Sequence, residues 1–217
     1  MRILATNDDG YTCAGIIALV RALREAGHEV SIVAPDRERS CASHAMTLSG
    51  PVSIKQVQPY TWKCTGTPAD CAFIGVSDVF EWEPDIVVSG INAGANLGVD
   101  VIFSGTVAAA RQATMHGVRA IAFSLCGHRP PLHWDAAAAW AAAHLEELAA
   151  LCAENILVNV NFPNKEHLPK NAVHTNLSTC RYMDKVIMHD IEIEGDDSTH
   201  CEFMFGGFTP EGQENSD

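Results

Sequence analysis

The 217 residues are 47% hydrophobic, which suits one globular domain with an appended arm, able to bury about 70% of the surface its unfolded chain exposes. Against 14 Lys plus Arg stand 27 Asp plus Glu, a formal net charge of −13. That balance excludes nucleic-acid polymers and anionic membranes as partners, barring a local basic patch, and it repels phosphorylated metabolites unless a cation intervenes.

The 8 cysteines form no CxxC pair and are too scattered for a disulfide scaffold or a zinc cluster, so they read as reduced, mostly buried thiols of a cytoplasmic protein. The N-terminal apolar run is too short for a signal peptide, and no stretch approaches the roughly 20 apolar residues of a membrane span.

Residues 1–6 read as a short buried strand. Residues 13–26 carry Ile16, Ile17, Val20 and Leu23 at helical spacing, with Gly27 as the stop. "EVSIVA" (29–34) is a second apolar strand ended by Pro35, and strand, helix and strand together make a βαβ unit of a parallel sheet. "PVSIKQV" (51–57) alternates like a half-exposed strand. Residues 66–80 form a helix with Thr67 as N-cap and Pro68 as first helical residue.

"PDIVVSG" (84–90) is a buried strand, 104–117 a helix closed by Gly117, and "RAIAFSL" (119–125) another strand. Residues 134–155 read as one Ala-rich helix capped by Asp135, followed by the strand "ILVNVNFP" (156–163). This alternation predicts an α/β fold: a doubly wound, mostly parallel sheet in a Rossmann-like three-layer sandwich. Residues 1–165 are expected to form the catalytic domain. Residues 166–217 are expected to form a C-terminal extension, with "VIMHDIEIEG" (186–195) as a hairpin or arm strand and a loose polar end.

In such sheets ligands sit at the carboxyl ends of strands. Four segments deliver small polar groups there: Asp8 and Asp9 after the first strand, Ser40 after the second, Ser89, Gly90 and Asn92 after "DIVV", and Ser104, Gly105 and Thr106 at a helix start. Two carboxylates about 4 Å apart repel by about 4 kcal/mol at an effective dielectric near 20, and a divalent cation would cancel that repulsion. Carboxylate, hydroxyl and amide donors suit a hard ion, Mg²⁺ or Mn²⁺, better than zinc.

Each segment alone also has a plainer reading. "NDDG" is a good turn and cap. "SGINAGANLG" (89–98), with Asn96 inside it, matches neither a dinucleotide nor a P-loop fingerprint and is also an ordinary glycine loop. "SGT" (104–106) is also simple capping. His44, in "DRERSCASHAMTL", is either a surface imidazole or a proton donor to a leaving oxygen.

Taken in order, "TNDDG", "APDRERS", "TGTPADC", "VSGINAGANLG", "SGTVAAA" and "NVNFP" resemble the SurE (survival protein E) family of metal-dependent nucleotidases over residues 1–163. The resemblance implies removal of phosphate from nucleoside monophosphates with one divalent cation per subunit, held by Asp8, Asp9, Ser40 and Asn92. It places Asn96, Ser104, Gly105 and Thr106 at the phosphate, leaves the role of His44 open, and implies dimers or tetramers built partly through C-terminal arms. The family usually continues beyond a stretch like 209–217 with a further strand. An end at Asp217 is therefore expected to mark a shortened chain, a natural variant or a tail outside the sequence given.

In-line hydrolysis is the expected chemistry, with Asp8 or Asp9 orienting water and His44 as a candidate acid. Alternatives are a phosphatase acting mainly on other phosphoesters or polyphosphate, and a receiver-like Mg²⁺-binding signalling module. The receiver needs an Asp after the central strand and a late Lys, where this chain has Ser89, Asn92 and "IAFSLCGH". A haloacid-dehalogenase phosphatase needs a nucleophilic Asp where this chain has Asn7.

Overall fold

The computed structural model describes residues 1–77, 80, 82–127 and 129–178, and the backbone of strands at 181–182, 185–191, 200–206 and 210–211. The chain divides into two compact units, Met1–Ala172 and Val173–Asp217.

The first unit alternates strands and helices: β1 (Arg2–Thr6), α1 (Ala14–Glu25), β2 (Glu29–Pro35), β3 (Ile54–Gln58), β4 (Thr61–Cys64), α2 (Pro68–Val76), β5 (Ile86–Ala93), α3 (Asp100–Phe103), α4 (Gly105–Met115), β6 (Arg119–Cys126), α5 (Trp134–Ala143), α6 (Leu145–Leu151) and β7 (Val158–Pro163). The seven strands form one sheet in the order β3-β4-β2-β1-β5-β6-β7, with β3 antiparallel to β4 and every other pair parallel.

The residues of β1, β2, β5 and β6 are buried on both faces, so they alternate between two cores rather than between core and water. Ile3, Ala5, Ile32, Val88, Ile121 and Phe123 pack with Ile16, Leu19, Ala137, Ala141 and Leu145 of α1, α5 and α6. Leu4, Val33, Val87, Ala120 and Ala122 pack on the other face with Cys71, Val107, Ala110 and Ala113 of α2 and α4. Small side chains on β6 and α4 bring that helix close to the sheet. This is the three-layer, doubly wound arrangement the alternation predicts.

The strand order reverses between β1 and β5. Successive connections run to opposite sides from that point, which opens a crevice at the carboxyl ends of β1 and β5. The β5–β6 register shifts between Ser89 and Asn92. Gly90 sits at the shift with φ +124°, and a Cβ there would lie 2.2 Å from the Phe123 carbonyl oxygen, so only glycine fits.

Several boundaries differ from the sequence reading. The strand expected at 51–57 is shifted to 54–58 and pairs with β4, which the pattern did not reveal. The single helix expected at 134–155 is two, divided at His144 and ending at Leu151. Asp135 does not cap it. His133 occupies the N-cap position, and Asp135 lies in the first turn, where Arg21 Nη2 donates to its Oδ1 at 2.5 Å. Of the six described cysteines only Cys64 and Cys71 are buried, while Cys41 is exposed, so "mostly buried" does not hold for them.

Thr67 does cap α2. Its hydroxyl accepts from the Asp70 N–H, and Asp70 Oδ2 accepts from the Thr67 N–H at 2.9 Å, with Pro68 first in the helix. Gly27 closes α1 with φ +87°. The helix expected to reach 80 is α2, ending at Val76, and residues 78, 79 and 81 lie outside the described set.

In the second unit β9 (Lys185–Ile191) pairs antiparallel with β10 (His200–Gly206), the hairpin expected around 186–195. Residues 192–199 lie outside the described residues. β8 (Arg181–Tyr182) pairs with β11 (Pro210–Glu211), so those two residues of the polar end are paired rather than loose. Residues 212–217 lie outside the described set.

Candidate functional site at the carboxyl edge

β1 is apolar to Ala5 and then turns. Asn7, fully buried, closes the turn on itself: its Nδ2 donates to Gly10 O at 2.9 Å, and Gly10 N–H donates to its Oδ1 at 3.2 Å. This local clamp projects Asp8 and Asp9 from the strand end.

Asp8 is 4% exposed and its Oδ1 accepts a hydrogen bond from the Thr106 hydroxyl, on the first turn of α4. Its neighbour Gly105 has no room for a side chain, since a Cβ there would lie 2.8 Å from Asp8 Cβ and 3.0 Å from Oδ2. Asp9 is half-buried, and the Ala93 backbone N–H, next to Asn92 at the end of β5, lies close enough to favour its charged form. Three of the four predicted segments therefore meet at the β1/β5 switch point.

The fourth is tied in through backbone. Arg39 N–H donates to Asp8 O at 2.8 Å, and Ser43 N–H donates to Phe103 O at 3.0 Å, straddling Ser40. The Ser40 side chain is exposed, and its hydroxyl donates to Glu38 Oε1 at 2.8 Å rather than to either aspartate. Asn92 donates its Nδ2 to Gly94 O at 3.0 Å, and no hydrogen bond among the described residues uses its Oδ1.

Ser104 caps α4, its hydroxyl accepting from Val107 N–H at 3.0 Å, one of the first-turn N–H groups. His44 is engaged by α4. Its Nε2 lies 2.7 Å from Gln112 Oε1, further along α4.

Burial pushes the Asp8 carboxyl above its ordinary value, an effect only partly opposed by the Thr106 hydroxyl. Asp9 is pushed from 3.8 to about 6, first by desolvation and then by the Asp8 charge. A like-charge pair, one member buried and one half-buried, with no cationic side chain among the described residues compensating it, is the electrostatic signature of a cation site.

The donor set fits a hard divalent ion. Among the described residues no group of three or more His, Cys, Asp and Glu is placed to hold a metal, so two carboxylates would be completed by the neutral oxygens of Ser40 and Asn92. Two further observations mark this edge as built for a polar ligand. Thr6 Oγ1 and Ser89 Oγ, on residues paired across β1 and β5, are fully buried and have no hydrogen-bond partner among the described residues. Gly105 also opens the space beside Asp8 that a side chain would fill.

The sequence reading missed the support beneath the glycine loop. Asn161 Oδ1 accepts from Asn96 N–H at 2.8 Å, while Asn159 and Asn161 both donate to Asn96 O, at 2.8 and 3.1 Å. Asn96 itself donates its Nδ2 to Ser124 Oγ at 2.8 Å and is 6% exposed. The signal was present in "NVNFP", where period-2 spacing puts both asparagines on one face of β7.

A doubly wound α/β sheet with an acidic, amide-lined crevice at its switch point defines the class: a Rossmann-like protein of the kind that takes small ligands at the carboxyl edge. The particular family follows from comparison. The family model described as "Survival protein SurE" matches residues 3–184. The chain is 52% identical to the 5'-nucleotidase SurE of Treponema pallidum, over 74% of this chain and 89% of that protein. It is 50% identical to the 5'-nucleotidase SurE of Stenotrophomonas maltophilia (strain R551-3), over 80% of this chain and 66% of that one. The crystal structure of the Aquifex aeolicus SurE protein superposes with a TM-score of 0.81 at 31% identity, covering 100% of this chain and 87% of that chain. The chain belongs to the SurE family. It spans about two thirds of the length of the Stenotrophomonas and Xanthomonas relatives it matches, with 66% and 64% covered.

Proposed function

We propose that this chain is a divalent-metal-dependent phosphomonoesterase that hydrolyses nucleoside monophosphates to nucleoside and phosphate. The observation that carries the reading is the junction of the β1 carboxylates with the other two elements: the Thr106 hydroxyl donates to Asp8, and the Ala93 N–H lies beside Asp9. The relatives' names, 5'-nucleotidase, supply the reaction class.

Asp8, Asp9, Ser40 and Asn92 would hold one Mg²⁺ or Mn²⁺ per subunit, which when bound supplies charge neutralisation for the phosphoryl group and an acidified water. The first-turn N–H groups of Gly105 and Thr106, with the Ser104 hydroxyl and Asn96, receive the phosphate oxygens, where a helix N-terminus favours negative charge. Asp9 orients the attacking water in line with the ester oxygen and accepts its proton. As the phosphorus–oxygen bond breaks, His44 delivers a proton to the leaving ribose oxygen.

The catalytic parts fall within residues 1–165. The 166–217 extension serves a dimer or tetramer. The chain acts in the cytoplasm, and no helix among the described residues is long and apolar enough to cross a membrane.

A phosphate-release panel of 5'- and 3'-nucleoside monophosphates, other phosphoesters and polyphosphate, each with Mg²⁺, Mn²⁺ or chelator, tests this. Release from nucleotides that chelator abolishes and metal restores is expected. Turnover confined to other phosphoesters or polyphosphate would replace the substrate class, and turnover unaffected by chelator would remove the metal.

A further inference from the structure

We infer that Gln112 is a positioning residue for His44, holding the ring so that its backbone-side nitrogen serves the leaving oxygen; this rests on the reading of His44 as the acid of the proposed hydrolysis. Gln112 is 7% exposed in the middle of α4, yet both ends of its amide are engaged. Its Oε1 lies 2.7 Å from His44 Nε2, and its Nε2 lies 3.0 Å from His116 Nε2. His116, one turn further along, is itself fixed by stacking on Phe73, with ring centroids 4.6 Å apart. The three side chains form a row in which Phe73 and His116 orient the amide, and the amide orients a residue 68 positions away in the chain.

The chemistry follows from which atoms are used. A carbonyl oxygen can only accept, so Oε1 requires a proton on His44 Nε2. In the neutral ring Nδ1 is then the unprotonated nitrogen, and in the imidazolium it is the Nδ1 proton that is free to leave. Nδ1 is also the nitrogen nearer the backbone. That backbone is strapped to the α4 N-terminus, because Ser43 N–H donates to Phe103 O at 3.0 Å and Ser43 Oγ to Ile102 O at 2.7 Å. Gln112, six residues after Thr106 and so about 9 Å along the helix, thus takes the Nε2 edge of the ring, while no hydrogen bond among the described residues uses the Nδ1 edge.

The test separates a positioning role from a purely structural strut. Hydrolysis is measured with a nucleoside 5'-monophosphate, whose ribose alkoxide needs a proton to leave, and with p-nitrophenyl phosphate, whose phenolate does not. His44→Ala is expected to lower kcat on the nucleotide about a hundredfold, within the usual contribution of an acid, and on the nitrophenyl ester at least tenfold less. Gln112→Leu, which keeps the volume but removes the acceptor, is expected to lower kcat on the nucleotide about tenfold with the same leaving-group bias, to leave KM within twofold, and to add nothing in the His44→Ala background. Gln112→Glu, which keeps an acceptor toward Nε2, is expected to restore most of the loss.

Where His44→Ala shows the leaving-group bias, equal losses on both substrates in Gln112→Leu, additivity with His44→Ala, or no recovery in Gln112→Glu overturns the inference. An independent readout is the ¹⁵N shift pair of the His44 ring in its neutral form. The Nε2–H tautomer is expected to dominate in the wild type and to give way to a mixture in Gln112→Leu; an unchanged tautomer also overturns the inference. A changed tautomer together with a His44→Ala variant that shows no leaving-group bias keeps the positioning role and removes the acid role of His44 instead.

Discussion

Replacing Asp9 by Asn relieves a repulsion that the folded, metal-free protein carries. A carboxyl titrating near 6 instead of 3.8 is held charged at neutral pH against roughly 3 kcal/mol. Asp9 is partly exposed, so solvent screening reduces that to about 1–2 kcal/mol. Asn is isosteric and uncharged. In excess chelator at pH 7.5 the variant should therefore melt about 2–8 °C above the wild type, taking about 2–4 °C per kcal/mol for a chain of this size.

The sign fixes the pH window. The raised carboxyl favours the folded state only while protonated, so the variant's advantage should grow between pH 3.8 and 6, stay level above, and vanish below. With Mn²⁺ at a hundred times its Kd the wild type should gain about 2.7 kcal/mol and the variant much less, reversing the order, and metal-dependent phosphate release should be lost. A calorimetric scan with and without chelator measures all of this. A variant no more stable than wild type in chelator, or one stabilised equally by metal, would refute the view that this pair forms an uncompensated cation site.

Gly105→Ala should displace the Asp8 carboxylate, given a Cβ 2.8 Å from Asp8 Cβ, and cut phosphate release at least tenfold with a stability loss of no more than about 3 kcal/mol, read by paired kinetics and urea melts. Asn161→Ala should loosen the Asn96 loop and raise KM for nucleotide more than it lowers kcat, since it removes bonds to both the N–H and the carbonyl of Asn96. Asp70→Ala should cost about 1–3 kcal/mol in urea melts, because it removes the carboxylate half of the α2 capping box, the bond from Thr67 N–H, and the bonds from Thr47 N–H and Oγ1. Burial pushes the Asp70 carboxyl up, but those bonds outweigh it and hold it below 3.8, so its contribution is present above that pH and should fade only as pH falls through the lower folded value. Proton competition at Asp9 should weaken Mn²⁺ binding by up to about tenfold per pH step below about 6 and leave it level above 7, measured by titration calorimetry.

The parts legible in the sequence are those governed by neighbours in the chain. Thr67 and Pro68 announce the start of α2, and Gly27 and Gly117 close α1 and α4 with φ +87° and +78°. The apolar runs of β1, β2, β5 and β6 are continuous because both faces are covered. β4 escaped notice because Thr61–Cys64 is four residues long with Lys63 inside it, and only pairing with β2 and β3 makes it a strand. The break at His144 was equally hidden in a run of good helix formers, and Asp135, placed like a cap, is taken up instead by Arg21 from α1.

At the candidate site the same division holds. That Asp8, Asp9, Asn92 and Ser104–Thr106 lie at strand ends and a helix start follows from short-range pattern alone, because apolar periodicity and capping are settled within a few residues. That β1 lies beside β5, so that Thr106 reaches Asp8 and Ala93 reaches Asp9, is decided by where the chain crosses over the sheet. The hold of Asn159 and Asn161 on Asn96, and of Gln112 on His44, is likewise tertiary. Such contacts join segments more than 60 residues apart, and no local propensity encodes a partner at that distance. Only the packing of both helical layers onto one sheet selects it.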